Sequence, residues 1–203
     1  MRTLVTGPAS EPVTLSELKA QLRIVRSNED SLLNGLITAA RRIVEKVQWR
    51  QLITATWDFS APAFPKDNGA ITIPLPPLQS ITHLKYYDTA DDIQTFSTDY
   101  YTVVLATNGP GIIQLVPGYE WPEIIDGKQN AVIVRAVCGY GDSTTVPETT
   151  KTAIKMLAAE FYSNRIVTAG ASVGAISAPE WSNAVEALMQ IETCRVRESF
   201  DLG

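Results

Sequence analysis

Apolar positions in the first fifty residues recur with the period of a helix. Thr14-Leu15-Ser16-Glu17 has the form of a capping box, in which a Thr hydroxyl and a Glu carboxylate satisfy each other's backbone N–H groups. Leu15, Leu18 and Leu22 follow on one face, which predicts a short helix over 14–24. A second start at Ser27 has Glu29 and Asp30 in its first turn, where the helix dipole favours negative charge. Leu32, Leu33, Leu36, Ile37, Ala40, Ile43, Val44 and Val47 then keep helical spacing, which predicts a long helix over 28–49.

From Gln51 the period drops to two. Ile53, Ala55, Trp57 and Phe59 alternate with polar residues, the pattern of a half-buried strand, with Trp57 expected in the core. Further strands are predicted at 70–73, 80–87, 100–105, 111–116 and 131–137, within a β section spanning 52–138. Asn108-Gly109-Pro110-Gly111 between two apolar runs predicts a hairpin. Pro74, Pro76 and Pro77 lack the N–H that a ladder needs, so they mark an extended crossover at a sheet edge.

Helical spacing returns near the end. Thr145-Val146-Pro147-Glu148 reads as a capped start for a helix over 146–165, with Ile154, Leu157, Ala158, Phe161 and Tyr162 as its stripe. Residues 166–177 are small and uncharged and read as a flexible connection. A last helix is expected from Ser177, with Trp181, Ala184, Val185, Leu188 and Met189 on its apolar face. Helices, then strands, then helices predict an α+β fold with an antiparallel central section and terminal helices packed together. The chain divides on this reading into a core over 1–165 and an arm over 166–203.

Composition narrows the function. Hydrophobic residues make up 45% of the 203 residues and charged residues 19%, an ordinary globular balance. No apolar run nears the roughly twenty residues of a membrane span, and Met1 to Ser10 lacks the apolar core of a signal peptide. Cys138 and Cys194 form no cluster, which fits a reducing, intracellular environment. The net charge of −5 is uneven: +3 over 1–50, −7 over 51–150 and −1 over the rest. So acidic a middle section disfavours general binding to nucleic acid.

Candidate chemistry is sparse. His83 is the sole histidine and lies in a predicted strand with no evident partner, which favours a surface or sheet-edge role. Cys138 ends an apolar strand and reads as a core residue. Asp91-Asp92 lies in a polar turn, and Glu120 and Glu123 flank Trp121-Pro122 in a rigid loop. Gly139-Tyr140-Gly141-Asp142 has no basic residue to meet a phosphate and reads as a sharp exit from the sheet. No enzyme, metal or cofactor reading emerges. Aromatic anchors suggest protein contacts instead, with Tyr119, Trp121 and Trp181 as candidates.

The order of segments carries a resemblance. Pro12 to Lys19, Leu36 to Glu45, Pro74 to Ile81, Tyr119 to Pro122, Cys138 to Asp142 and Ala158 to Arg165 together resemble the head–tail connector, or adaptor, family of tailed phages and prophages. The similarity spans residues 11–165. It implies a structural subunit of the virion's head–tail junction, assembled in the host cytoplasm. Such subunits form rings with copies of themselves, usually dodecameric, beneath the portal protein. They bridge it to a downstream head-completion or tail protein. DNA would pass through the channel without specific binding, aided by an acidic lining. Under that reading Ile166, Val167, Trp181, Leu188 and Met189 of a docking arm, with Tyr119 and Trp121, are the expected interface residues. The competing expectation is a monomeric β-rich binding module whose aromatics line a groove.

Overall fold

The computed structural model describes residues 1–106, 108–164, 183–191 and 193. Its elements run β1 (Arg2–Thr6), α1 (Leu15–Leu22), α2 (Asp30–Gln48), β2 (Ala55–Ala61), β3 (Ile71–Ile73) and β4 (Leu78–Tyr87). They continue with β5 (Ile93–Phe96), β6 (Tyr101–Val104), β7 (Gly111–Leu115), β8 (Val132–Cys138), α3 (Glu148–Ser163) and α4 (Asn183–Ile191). The α+β class and the antiparallel sheets agree with the sequence pattern. Two elements, β1 and β5, were not expected.

The chain forms two compact units, each assembled from separate stretches. One holds residues 1–9 and 49–141, and the other holds 10–48 together with the described residues of 142–193. The β unit contains a five-stranded sheet, β1-β2-β8-β4-β5, and a three-stranded sheet, β3-β7-β6. Every pairing in both sheets is antiparallel. Phe59, Leu84, Phe96, Val134, Ala136 and Cys138 of the larger sheet share one core with Ile71, Ile73 and Ile113 of the smaller. The 108–111 segment joins β6 to β7 as the predicted hairpin, with Val104 opposite Ile112. The proline segment carries the chain from β3 in one sheet to β4 in the other through a cis Pro76–Pro77 bond. Trp57 is only half-buried at the margin of the core, where its indole N–H donates to Gln51 Oε1 at 3.0 Å.

In the helical unit, Leu33, Ile37, Ala40 and Val44 of α2 are buried, as are Ala153, Ile154, Leu157 and Ala158 of α3. The buried stripe of α2 is narrower than its apolar pattern, since Leu32 is exposed. The Gln48 side chain donates to Thr150 Oγ1 at 3.3 Å and ties the end of α2 to the start of α3. The Thr14 capping box forms as read: Thr14 N–H donates to Glu17 Oε2 at 2.7 Å and Glu17 N–H to Thr14 Oγ1 at 3.2 Å. The corresponding expectation at Thr145 does not hold. Pro147 occupies the cap position of α3, and the Thr145 hydroxyl donates instead to the Asp142 carbonyl at 2.8 Å. Pro147, with φ of −54° and ψ of 136°, stands just outside the helix and has no side-chain group able to cap it.

Several carboxylates are held below their ordinary range in the folded chain. Glu17 is lowered chiefly by the Thr14 hydroxyl, Asp58 by the Arg135 guanidinium, Asp88 by the Gln94 amide and Asp142 by the Thr144 hydroxyl. Groups whose folded pKa lies below the unfolded one stabilise fully above the unfolded value of about 4 and lose that contribution as pH falls through the folded value. The melting temperature is therefore expected to hold from pH 7 to about 5 and to fall progressively below about 4. Asp58→Asn should flatten part of that decline, and a scan of Tm against pH reads both. An Asp58→Asn profile parallel to the parent would remove Asp58 from the account.

Candidate assembly surface

Residues 116–126 of the β unit run as a loop with a charged exterior and an anchored interior. Gly118 has φ of 93°, and the turn closes with Tyr119 N–H donating to Val116 O at 3.1 Å. Trp121 stacks flat on Phe64, with centroids 4.8 Å apart and planes 5° from parallel. Its indole N–H donates to Gly69 O at 3.0 Å and its backbone N–H to Asn68 Oδ1 at 3.2 Å. One face of the indole and its polar handle are thus committed within the unit, which fixes the loop and leaves the other groups to point outward. Tyr119 is 46% exposed and stacks on Tyr100, itself 38% exposed, at 4.6 Å. Glu120, Glu123 and Asp126 of the same loop are exposed. The exposed pair is Tyr119 with Tyr100, and Trp121 is its support. Tyr100's part was not legible beforehand, because only the fold brings it to Tyr119.

The last helix places two more of the expected residues. Met189 is wholly buried, with Val185 beside it, and Leu188 is half-buried. Val185 lies by Met156, Ala159 and Glu160 of α3 and Gln21 of α1. This face is occupied by the helical unit's own side chains, and Ile191 is the exposed large apolar residue of the helix. Ile166, Val167 and Trp181, together with the expected helix start at Ser177 and with Cys194, lie outside the described residues.

The titratable residues singled out earlier also have definite settings. His83 sits in β4, opposite Arg135 of β8 and two residues from Lys85. Burial, then the charges of Lys85 and Arg135, hold its imidazole below the ordinary value, so it is neutral at pH 7. Arg135 is itself committed to Asp58 through two hydrogen bonds of 2.7 and 2.8 Å. β5 reaches β4 only as far as Leu84, so His83 lies just past that pairing, half-buried, with β8 on its other side. Cys138 is buried, which pushes its thiol up to about 12 and keeps it protonated. Gly139 and Gly141 leave the sheet with φ of 126° and 134°, the sharp exit the sequence indicated. Among the described residues, no group of three His, Cys, Asp or Glu side chains could hold a metal ion. No helix among them is long and apolar enough to cross a membrane.

The chain shares its fold with a protein in the neck of an empty gene transfer agent (GTA) particle computed with C6 symmetry. The two are 22% identical, with a TM-score of 0.77 over 99% of this chain and 100% of that one. A chain from the neck of the native particle computed with C12 symmetry matches over the same shares at 22% identity and a TM-score of 0.74. A chain from the native GTA virion matches over the same shares, at 22% identity and a TM-score of 0.75. No curated protein matches the sequence. Residues 12–102 match the family model of the phage gp6-like head-tail connector proteins. Through that stretch, which holds both N-terminal helices and the strands from β2 to the start of β6, the chain carries the pattern of the phage head-tail connector family.

Proposed function

We propose that this protein is a structural head–tail connector subunit that forms a ring beneath a portal, bridges capsid to tail and extends the DNA channel. The observation that carries the reading is the family match over 12–102. Whole-chain likeness of fold to proteins of particle necks, solved with C6 and C12 symmetry, supports a ring and a place at the head–tail junction. The exposed carboxylates of the 116–126 loop suit a surface past which phosphate slides without adhering.

Within this reading the portal and the next head-completion or tail protein are the partners, and host cytoplasm is the place of assembly. Tyr119 with Tyr100 offers a rigid aromatic contact. Ile166, Val167 and Trp181 form the docking segment, while Val185 and Met189 keep α4 seated on the helical unit. The assignment therefore moves the arm's contact from the face of α4 to the residues before it.

Sedimentation of the chain with and without a portal protein from the same particle tests the proposal. A ring-sized complex with portal is expected, and Trp181→Ala or a paired Ile166→Asp, Val167→Asp change should weaken it at least tenfold while leaving Tm unchanged. A monomer at every concentration that never joins the portal would overturn the connector reading. Undiminished binding by both variants would overturn the docking segment alone.

A further inference from the structure

The two edges of the five-stranded sheet match each other. β1 forms one edge and β5 the other, and all residues of β1 and the first three of β5 are exposed. Met1 and Ser60 exchange hydrogen bonds of 2.7 and 2.8 Å, which sets the phase of the β1–β2 ladder. Antiparallel pairs alternate, so the next residues, Arg2 and Leu4, turn their N–H and C=O groups away from β2. At the far edge, Asp88 N–H donates to Asp92 O while Tyr87 N–H turns to Ala131 O. Tyr87 therefore faces Ile93 without exchanging bonds, and Ile93 and Thr95 turn their backbone groups outward. Neither edge carries a proline or a bound cover among the described residues. Such edges are templates for another strand.

We propose that β5 of one subunit pairs with β1 of the next, so that the sheets of neighbouring copies join edge to edge. The proposal rests on the connector reading for its biological setting, and on the following geometry for its content. Four successive antiparallel junctions make β1 and β5 run in the same direction. A copy presented in the same orientation thus meets its neighbour as a parallel pair. A register that joins Arg2 N–H to Ile93 O, Thr95 N–H to Arg2 O and Leu4 N–H to Thr95 O satisfies three outward pairs, and so does the one proposed: Ile93 N–H to Arg2 O, Leu4 N–H to Ile93 O, and Thr95 N–H to Leu4 O. It sets Thr3 opposite Ile93, and both already share the sheet face that holds Asp58, Arg135, His83 and Lys85. The same register sets Arg2 opposite Asp92, an exposed cation against an exposed carboxylate. Hydrogen-bond phase and face admit both alignments, and charge selects the one with Arg2 opposite Asp92. Because the two edges differ, the contact is heterologous, the kind that builds rings when its rotation closes.

The test uses the full chain with Cys194→Ser, carrying Leu4→Cys and Gln94→Cys, which the register places opposite each other. Oxidation is expected to give a ladder of dimers, trimers and larger species on a non-reducing gel, alone or on the portal. Either cysteine by itself should give no species beyond a dimer. Arg2→Asp or Asp92→Arg, added to the cysteine pair, should each cut the ladder roughly threefold, and the two together should restore it. Portal-bound rings that form without a ladder, and that ignore both charge changes, would overturn edge pairing and leave the connector reading intact. A ladder without any portal complex would support the pairing and count against the connector reading. Neither ladder nor rings would overturn both.

Discussion

Gly139→Ala is expected to cost about 3 kcal/mol or more of stability. Two effects combine at this position. The backbone φ of 126° is one that L-residues rarely adopt, and such strain costs roughly 1–3 kcal/mol. A Cβ there would also sit 2.8 Å from the backbone C and O of Ile53 and the N of Thr54. Those atoms cannot rotate away as a side chain would. They belong to the segment that receives the sheet exit, where Tyr140 N–H donates to Leu52 O and Thr54 N–H to Gly141 O. Relieving the clash means pulling these bonds apart, along with Gly139 N–H to Pro77 O at 2.9 Å. Gly118→Ala makes the control, because its φ of 93° carries strain but nothing lies within 4 Å of the new Cβ. Urea denaturation of both should separate clash from strain. A Gly139→Ala loss no larger than that of Gly118→Ala would show that the exit relaxes freely.

Phe59→Ala is expected to cost about 3–5 kcal/mol, the range for emptying the space of a buried aromatic ring. Phe59 is 1% exposed in β2, paired with Val134 of β8, and belongs to the core that both sheets share. Its loss opens a cavity lined from two layers, and the ladders on each side of β2 restrain collapse. Phe59→Leu should recover more than half of the loss. The midpoint should fall while the denaturant slope stays constant. A loss below about 1 kcal/mol, less than the roughly 1.5–3 kcal/mol of burying the ring, would mean that neighbouring side chains refill the space.

The parts of this fold that were legible in the sequence are those whose causes are local. The Thr14–Glu17 box spans four residues, and the α2 stripe repeats over more than four turns, so both could be read in place. The 108–111 hairpin likewise declares itself by turn chemistry. β1 could not, because the residues that make it a strand are Trp57, Asp58 and Phe59, half a hundred positions on. β5 is four residues long, too short for alternation to register, and it exists by pairing with β4. At Thr145 the local signal misled: Pro147 stands at the cap position of α3, leaving the threonine to serve the Asp142 turn. Of the candidate surface, the aromatic residues were visible as types. Their division of labour was not, since Phe64 under Trp121 and Tyr100 under Tyr119 are contacts of the folded chain alone.

The division of the helical unit between distant stretches sets a timetable for synthesis. α2 leaves the ribosome with Leu33, Ile37, Ala40 and Val44 on one face, but α3, which covers them, begins about 100 residues later. At typical elongation rates of roughly 5–20 residues per second, that face stays open for on the order of 5–20 s. The growing subunit must spend that interval beside identical neighbours on the same message, each with the same uncovered stripe. The proposed ring subunit thus passes first through a period when the wrong association is open to it, and trigger-factor-like shielding of nascent chains should raise its soluble yield.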